Sequence, residues 1–219
     1  MGMGIDVRQR IAKRAAAEIK DGMTVNLGIG IPTLVANYLP DTLKAMFHAE
    51  NGILGTGQSP AIGDEDANLC NAGGYPVMIT PGASYFDSAT AFGIIRSGKV
   101  DVTILGGLEV SETGDLANWI VPGKIVPGMG GAVELAQKSK KVIVLMYHVN
   151  KSGESKILKT CTLPLTAKKS VDLIITDMAV FHVTPGGLVL TEVMKPYTIE
   201  DVTKHTEANF FIAETVKYI

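Results

Sequence analysis

The sequence predicts one α/β domain over residues 1–219, an open, mixed, mostly parallel sheet with helices on both faces. Three observations carry the prediction. Short apolar strands alternate with helix-patterned segments through the first two thirds of the chain. Val142-Ile143-Val144-Leu145-Met146-Tyr147 is an unbroken apolar run with the length of a buried strand. The last third reads as strands joined by a Thr184-Pro185-Gly186-Gly187 turn, an antiparallel hairpin that makes the sheet mixed.

The elements follow in order. Asp6 and Gln9 read as an N-cap with its capping-box partner. Val7, Ile11, Ala15 and Ile19 then repeat along one face of a helix that ends near Lys20, with Gly22 as its stop. Residues 23–27 form a short buried strand. Gly28-Ile29-Gly30-Ile31-Pro32-Thr33 turns into a second helix, with Pro32 suited to its first position, that stops at about Leu39 before Pro40. Residues 45–50 are the next strand, and a loop-rich stretch runs from Asn51 to about Tyr75. A strand over 77–80, a helix over 84–96 closed by Gly98, and a strand over 100–105 complete the first half. Residues 106–131 hold seven glycines and two prolines with little periodicity, and a loop of that length in a compact domain is usually functional. A helix begins over 132–137. Strands follow at 142–147, 156–163, 173–176, 179–183 and 188–193, then a short helix at 199–205.

Composition narrows the function. A 46% hydrophobic, 19% charged chain has the makeup of a globular core. A net charge of −2 without a basic stripe gives nucleic-acid binding no electrostatic footing. No apolar run approaches the roughly 20 residues of a membrane span. Arg8, Arg10, Lys13 and Arg14 fall where a secretion signal needs an apolar stretch, so no leader is expected. Two isolated cysteines, Cys70 and Cys161, fit a reducing cytoplasm and lack metal-ligand spacing, and four scattered histidines predict no metal site.

The candidate chemistry centres on Glu50, a carboxylate where a strand yields to the glycine-rich Asn51-Gly52-Ile53-Leu54-Gly55-Thr56-Gly57. Open α/β sheets bind ligands outside the carboxyl ends of their strands. Far along the chain, Gly130-Gly131 opens a helix, where free backbone N–H groups favour a negative oxygen. Other residues read as structural. His48 shares a strand face with Glu50 and is expected in packing or at the surface. Asp87 reads as a helix-surface residue and Asp115 as a turn residue bonding its own loop. Trp119 reads as a loop anchor or a cover over the site. Neither cysteine has a sequence-near base to activate it. Gly28-x-Gly30-x-Pro32 lacks the third glycine of a dinucleotide-binding turn.

Several motifs in one order carry a resemblance: Asn26 to Pro32, Ala49-Glu50-Asn51-Gly52, Asn71-Ala72-Gly73, Pro81-Gly82-Ala83-Ser84, Gly114 to Trp119 and Pro122 to Ala132. Together they resemble the β subunit of a two-subunit family I coenzyme A transferase, of the 3-oxoacid or acetoacetate type, with Ala49 in place of the family's serine. The resemblance implies a fold shared with ribose-phosphate isomerases. It also implies a ping-pong transfer of CoA between an acyl-CoA and a short-chain carboxylate or 3-oxoacid, through a glutamyl-CoA thioester on Glu50. It marks Asn26, Asn51, Gly130 and Gly131 for substrate and oxyanion contacts. It implies no metal or redox cofactor, with CoA entering as part of the substrate. It implies an α subunit that completes the site in an α2β2 assembly. Some relatives carry a lysine after Asn-Ala-Gly. Here Gly74 stands there, which favours a monocarboxylate or 3-oxoacid over a dicarboxylate. The rival functions are an acyl-CoA hydrolase of the same fold, a sugar-phosphate isomerase or deaminase, and a non-catalytic acyl-CoA-binding partner. Lys124 is the one cation in the 106–131 loop, which argues against the phosphate-binding enzymes.

Overall fold

The computed structural model describes residues 5–123 and 128–219. Helix α1 (Ile5–Ala16) leads through strand β1 (Thr24–Leu27) and a 3-10 helix (Ile31–Tyr38) to strands β2 (Met46–Ala49), β3 (Ile53–Thr56) and β4 (Ile79–Tyr85). Helix α2 (Ser88–Arg96) precedes β5 (Val102–Gly106), β6 (Glu109–Ser111) and β7 (Leu116–Ala117). Helix α3 (Ala132–Lys138), β8 (Lys141–Leu145), β9 (Ile157–Leu158) and β10 (Leu173–Ile175) follow. The chain then runs through β11 (Ala179–Thr184), β12 (Gly187–Val193), helix α4 (Ile199–His205) and β13 (Phe210–Tyr218).

Among the described residues ten strands form one sheet in the order β13-β12-β11-β10-β8-β5-β1-β2-β3-β4, and β7-β6-β9 form a second, smaller sheet. The centre, β10-β8-β5-β1-β2, is wholly parallel. Antiparallel pairs flank it, β2–β3–β4 on one side and β10–β11–β12 on the other. A parallel sheet is covered on both faces, so its strands are apolar on both. In β8, Ile143 and Leu145 pack with Ile11, Ala15 and Val35 from α1 and the 3-10 helix. Val142 and Val144 pack on the opposite face with Ile95 of α2 and Leu135 of α3. Arg14 of α1 adds an ion pair to Glu192 of β12.

Several local expectations give way to tertiary contacts. The helix expected from Asp6 to near Lys20 spans Ile5–Ala16, so Asp6 lies within its first turn and is not its N-cap. The second helix is 3-10 in form. The stretch after Asn51 contains β3, which hairpins back onto β2 through Gly52 at φ +110°. A Cβ at Gly52 would stand 2.0 Å from the Phe86 carbonyl oxygen, so only glycine fits. The glycines that permit this hairpin and the irregularity at Gly55 read in sequence as a loop that leaves room for a ligand beside Glu50. The strand expected over 77–80 is Ile79–Tyr85, and the helix expected from Ser84 starts at Ser88, where the Asp87 carboxylate accepts the Thr90 N–H. The strand expected over 156–163 shrinks to two residues, and the 106–131 loop contains β6 and β7. No element is expected beyond His205, yet β13 extends the sheet there. Its Phe-Phe-Ile-Ala start lacks the alternation that marks a strand. The predicted hairpin turn stands, with Thr184 paired to Gly187. Lys124 lies outside the described residues.

Candidate active site

The register of three parallel strands sets the site. Asn26 of β1 is paired with His48 of β2 on one side and with Thr103 of β5 on the other. Asn26 is fully buried, so each of its polar atoms needs a partner. Its Oδ1 accepts the Thr103 hydroxyl at 3.3 Å. Its Nδ2 donates to the His48 carbonyl at 3.1 Å and to Glu50 Oε2 at 3.1 Å. The reversed amide would set its oxygen against a carbonyl and a carboxylate, so this network fixes the orientation.

Glu50 follows β2 directly, at the carboxyl end of the parallel sheet. One of its oxygens is held by Asn26. The other meets Gly131, where an added Cβ would lie 3.1 Å from Glu50 Oε1 and 3.4 Å from Phe92. Two segments far apart in sequence thus close on one carboxylate. Neither Gly130 nor Gly131 donates its backbone N–H to an acceptor among the described residues.

A cavity of about 790 Å³ opens beside this cluster. Its floor is the carboxyl ends of four parallel strands: Leu27 of β1, Glu50 after β2, Gly106 of β5 and Leu145 of β8. Phe92, Leu108 and Met146 give it apolar walls, and Gly130 and Gly131 form part of its rim. Asn118 lines it with its side chain anchored at both ends, donating to the Gly106 carbonyl and accepting the Thr166 hydroxyl. Trp119 also lines it.

Asn51 is a cavity residue whose amide nitrogen donates at 2.7 Å to the Cys70 carbonyl, which ties it to the 51–75 loop. His48 is a packing residue: buried, stacked on Phe86 and bonded to the Ala91 carbonyl. Burial pushes its imidazole below its ordinary value, against the pull of the Glu50 carboxylate. The Asp115 carboxylate accepts the Lys169 N–H, bracing a neighbouring loop as well as its own. Cys161 is half-buried, and burial pushes its thiol up to about 12, which leaves it unreactive. Among the described residues no three His, Cys, Asp or Glu side chains converge as metal ligands. No described helix is long and apolar enough to cross a membrane.

Phe92 and Lys156 are cavity residues that sequence reading did not single out. Phe92 reads as one apolar residue among several in α2. Lys156 has no local motif, and its place in the wall depends on how β9 packs beside β6.

Residues 8–205 match the family model for coenzyme A transferase. The chain is 59% identical over 212 residues to the beta subunit of a probable coenzyme A transferase of Bacillus subtilis, covering 97% of this chain and 98% of that protein. It is 56% identical over 211 residues to one subunit of a probable succinyl-CoA:3-ketoacid coenzyme A transferase of the same organism, covering 96% and 98%. Its fold matches a crystal structure of an acyl-CoA transferase from Escherichia coli O157:H7 with a TM-score of 0.78 at 20% identity. That alignment takes in all of this chain and 44% of the longer one.

Proposed function

The chain belongs to the coenzyme A transferase family, and from that premise we propose that it moves CoA between an acyl-CoA and a short-chain carboxylate or 3-oxoacid, with Glu50 as nucleophile. The observation that carries this reading is the placement of the Glu50 carboxylate. One oxygen is held by the buried Asn26 amide and the other faces Gly131, in the wall of a cavity large enough for an acyl thioester.

The route balances without a redox partner. A Glu50 oxygen attacks the donor thioester carbonyl, and the tetrahedral oxyanion collapses to an acyl-glutamyl anhydride and CoA thiolate. The thiolate attacks the glutamyl carbonyl, releasing the donor carboxylate and leaving a glutamyl-CoA thioester. The acceptor carboxylate attacks that thioester, and the freed thiolate then takes the acyl group from the new anhydride, restoring Glu50. Asn26 holds Oε2 and leaves Oε1 to attack. Once Glu50 is acylated, the same Nδ2–H faces the oxygen where negative charge develops in the next step. The N–H groups of Gly130 and Gly131, which have no acceptor among the described residues, are the proposed oxyanion donors for the substrate carbonyl. Asn51 contributes by fixing the loop at the cavity's edge.

CoA enters as substrate, and no further cofactor takes part. The two Bacillus subtilis relatives are each named as one subunit of a transferase, which implies a second. In this reading the chain works with an α subunit in an α2β2 enzyme, in the cytoplasm, where the free cysteines stay reduced.

The test is borohydride trapping. The assembled enzyme is incubated with acetoacetyl-CoA, reduced, and digested for mass spectrometry. Conversion of the Glu50 side chain to an alcohol, abolished by prior addition of acceptor acid, is the expected result. A Glu50→Gln enzyme that folds and still transfers CoA overturns the mechanism. Rapid acyl-CoA hydrolysis without an acceptor would make the chain a hydrolase.

A further inference from the structure

Lys156 is the one cationic side chain among the described residues lining the Glu50 cavity, and its surroundings leave it without an ionic partner. Its backbone is clamped on both sides: its N–H donates to the His148 carbonyl at 3.0 Å, and its carbonyl accepts the Val110 N–H at 3.0 Å. Its Nζ donates to the Gly107 carbonyl at 2.9 Å. An ammonium carries three protons, and no other acceptor for it exists among the described residues.

The two carboxylates whose charge reaches Lys156 are Glu109 and Asp177, and both already serve backbone groups. Glu109 accepts the Thr162 and Leu163 N–H groups and the Thr162 hydroxyl. Asp177 accepts the His148 N–H. Burial lowers the Lys156 ammonium to about 8, with Asp177 and Glu109 pulling the other way. A half-buried ammonium without a counter-ion costs free energy that the fold does not recover. Trp119, another residue of the cavity lining, has its Nε1 buried away from the cavity space and without an acceptor among the described residues.

We propose that Lys156, in the wall of this cavity, binds a second oxygen function on the acyl group, a 3-oxo oxygen or a distal carboxylate, and so selects acids that carry one. The proposal rests on the transfer reading of the cavity. A chain bearing only hydrogens at that end leaves the remaining Lys156 N–H groups unpaired, and such a site discriminates against the plain acid. Gly107 supplies the close approach that holds Nζ in the wall: a Cβ there would fall 2.6 Å from Val144.

The experiment compares acceptor acids in the assembled enzyme, wild type against Lys156→Met and Lys156→Gln. Acetoacetate and succinate are the oxygen-bearing arms, and butyrate is the plain arm. In the variants the ratio of kcat/KM for an oxygen-bearing acid to that for butyrate falls by about 10- to 100-fold, the range for one hydrogen bond to a charged group. A fall for acetoacetate alone assigns the 3-oxo oxygen, and a fall for succinate alone assigns the distal carboxylate. Lys156→Gln keeps a donor for Gly107 and reads the ratio if Lys156→Met does not fold. An unchanged ratio in a folded variant overturns the proposal, whether all acids lose equally or none does. Borohydride trapping of wild type separates the failures. An adduct at Glu50 with an unchanged ratio sinks only the role of Lys156, whereas no adduct with any acyl-CoA sinks the transfer reading beneath it.

Discussion

Asn26 and Glu50, 24 positions apart, meet side chain to side chain at 3.1 Å, and the amide that makes this contact is itself fixed by Thr103 and His48. The carboxylate is therefore held through a buried strand residue that cannot rotate without losing three hydrogen bonds. A preorganised donor of this kind costs nothing to orient at the moment of reaction.

Removing that amide tests its role. Asn26→Ala is expected to lower kcat by about 10²–10³-fold, the usual loss for one aimed donor. It also strands the His48 carbonyl and the Thr103 hydroxyl, so stability falls by about 1–3 kcal/mol. Steady-state kinetics beside a urea melt separates the two effects. A wild-type kcat in the folded variant would remove Asn26 from the site.

Two glycines separate folding from chemistry. Gly52 sits at φ +110° with no room for a Cβ, so Gly52→Ala is expected to cost about 3 kcal/mol or more and to reduce soluble yield. Gly131 has an ordinary φ of −81°, and its obstacle is the Glu50 side chain. Gly131→Val is expected to keep the fold and lower kcat/KM by about 10²-fold by displacing the carboxylate. Circular dichroism and kinetics on both variants check the contrast. The reverse pattern would contradict it.

His148 predicts the acid limb of stability. It is fully buried between Thr176 and Thr206, and burial lowers it from 6.5 to about 3, with His205 adding repulsion. The Thr206 hydroxyl donates to the Val202 carbonyl and so accepts from Nε2–H, while Nδ1 faces the Thr176 hydroxyl at 3.0 Å. The folded ring is neutral. Between about 6.5 and 3 the unfolded chain holds a proton that the folded chain does not, so stability falls as pH drops through that window. The slope from this group is at most about 1.4 kcal/mol per pH unit. Urea midpoints at pH 7.5 and 5 should differ less in His148→Gln than in wild type. Equal differences would show that other groups set the acid limb.

Much of this molecule is legible without coordinates. The apolar runs, the spacing of Ile11, Ala15 and Ile19, and the Thr184–Gly187 turn specify a mixed sheet under helices, because local periodicity reports which face is buried. Glu50 is legible as well, since a carboxylate between a strand and a glycine loop marks the ligand end of such a sheet. Three things came only from the assembled chain. Gly52 reads as part of the motif at the candidate site, and only the Phe86 carbonyl that closes over it shows its structural task in turning β2 into β3. β13 gains its place from pairing with β12 rather than from its own pattern. Lys156 carries no signal in sequence, because what distinguishes it is the absence of a counter-charge around it. Local sequence encodes burial and turns through short-range sterics. Which polar atoms face one another across a cavity is decided by strand order and register, and these link residues that the chain itself keeps far apart.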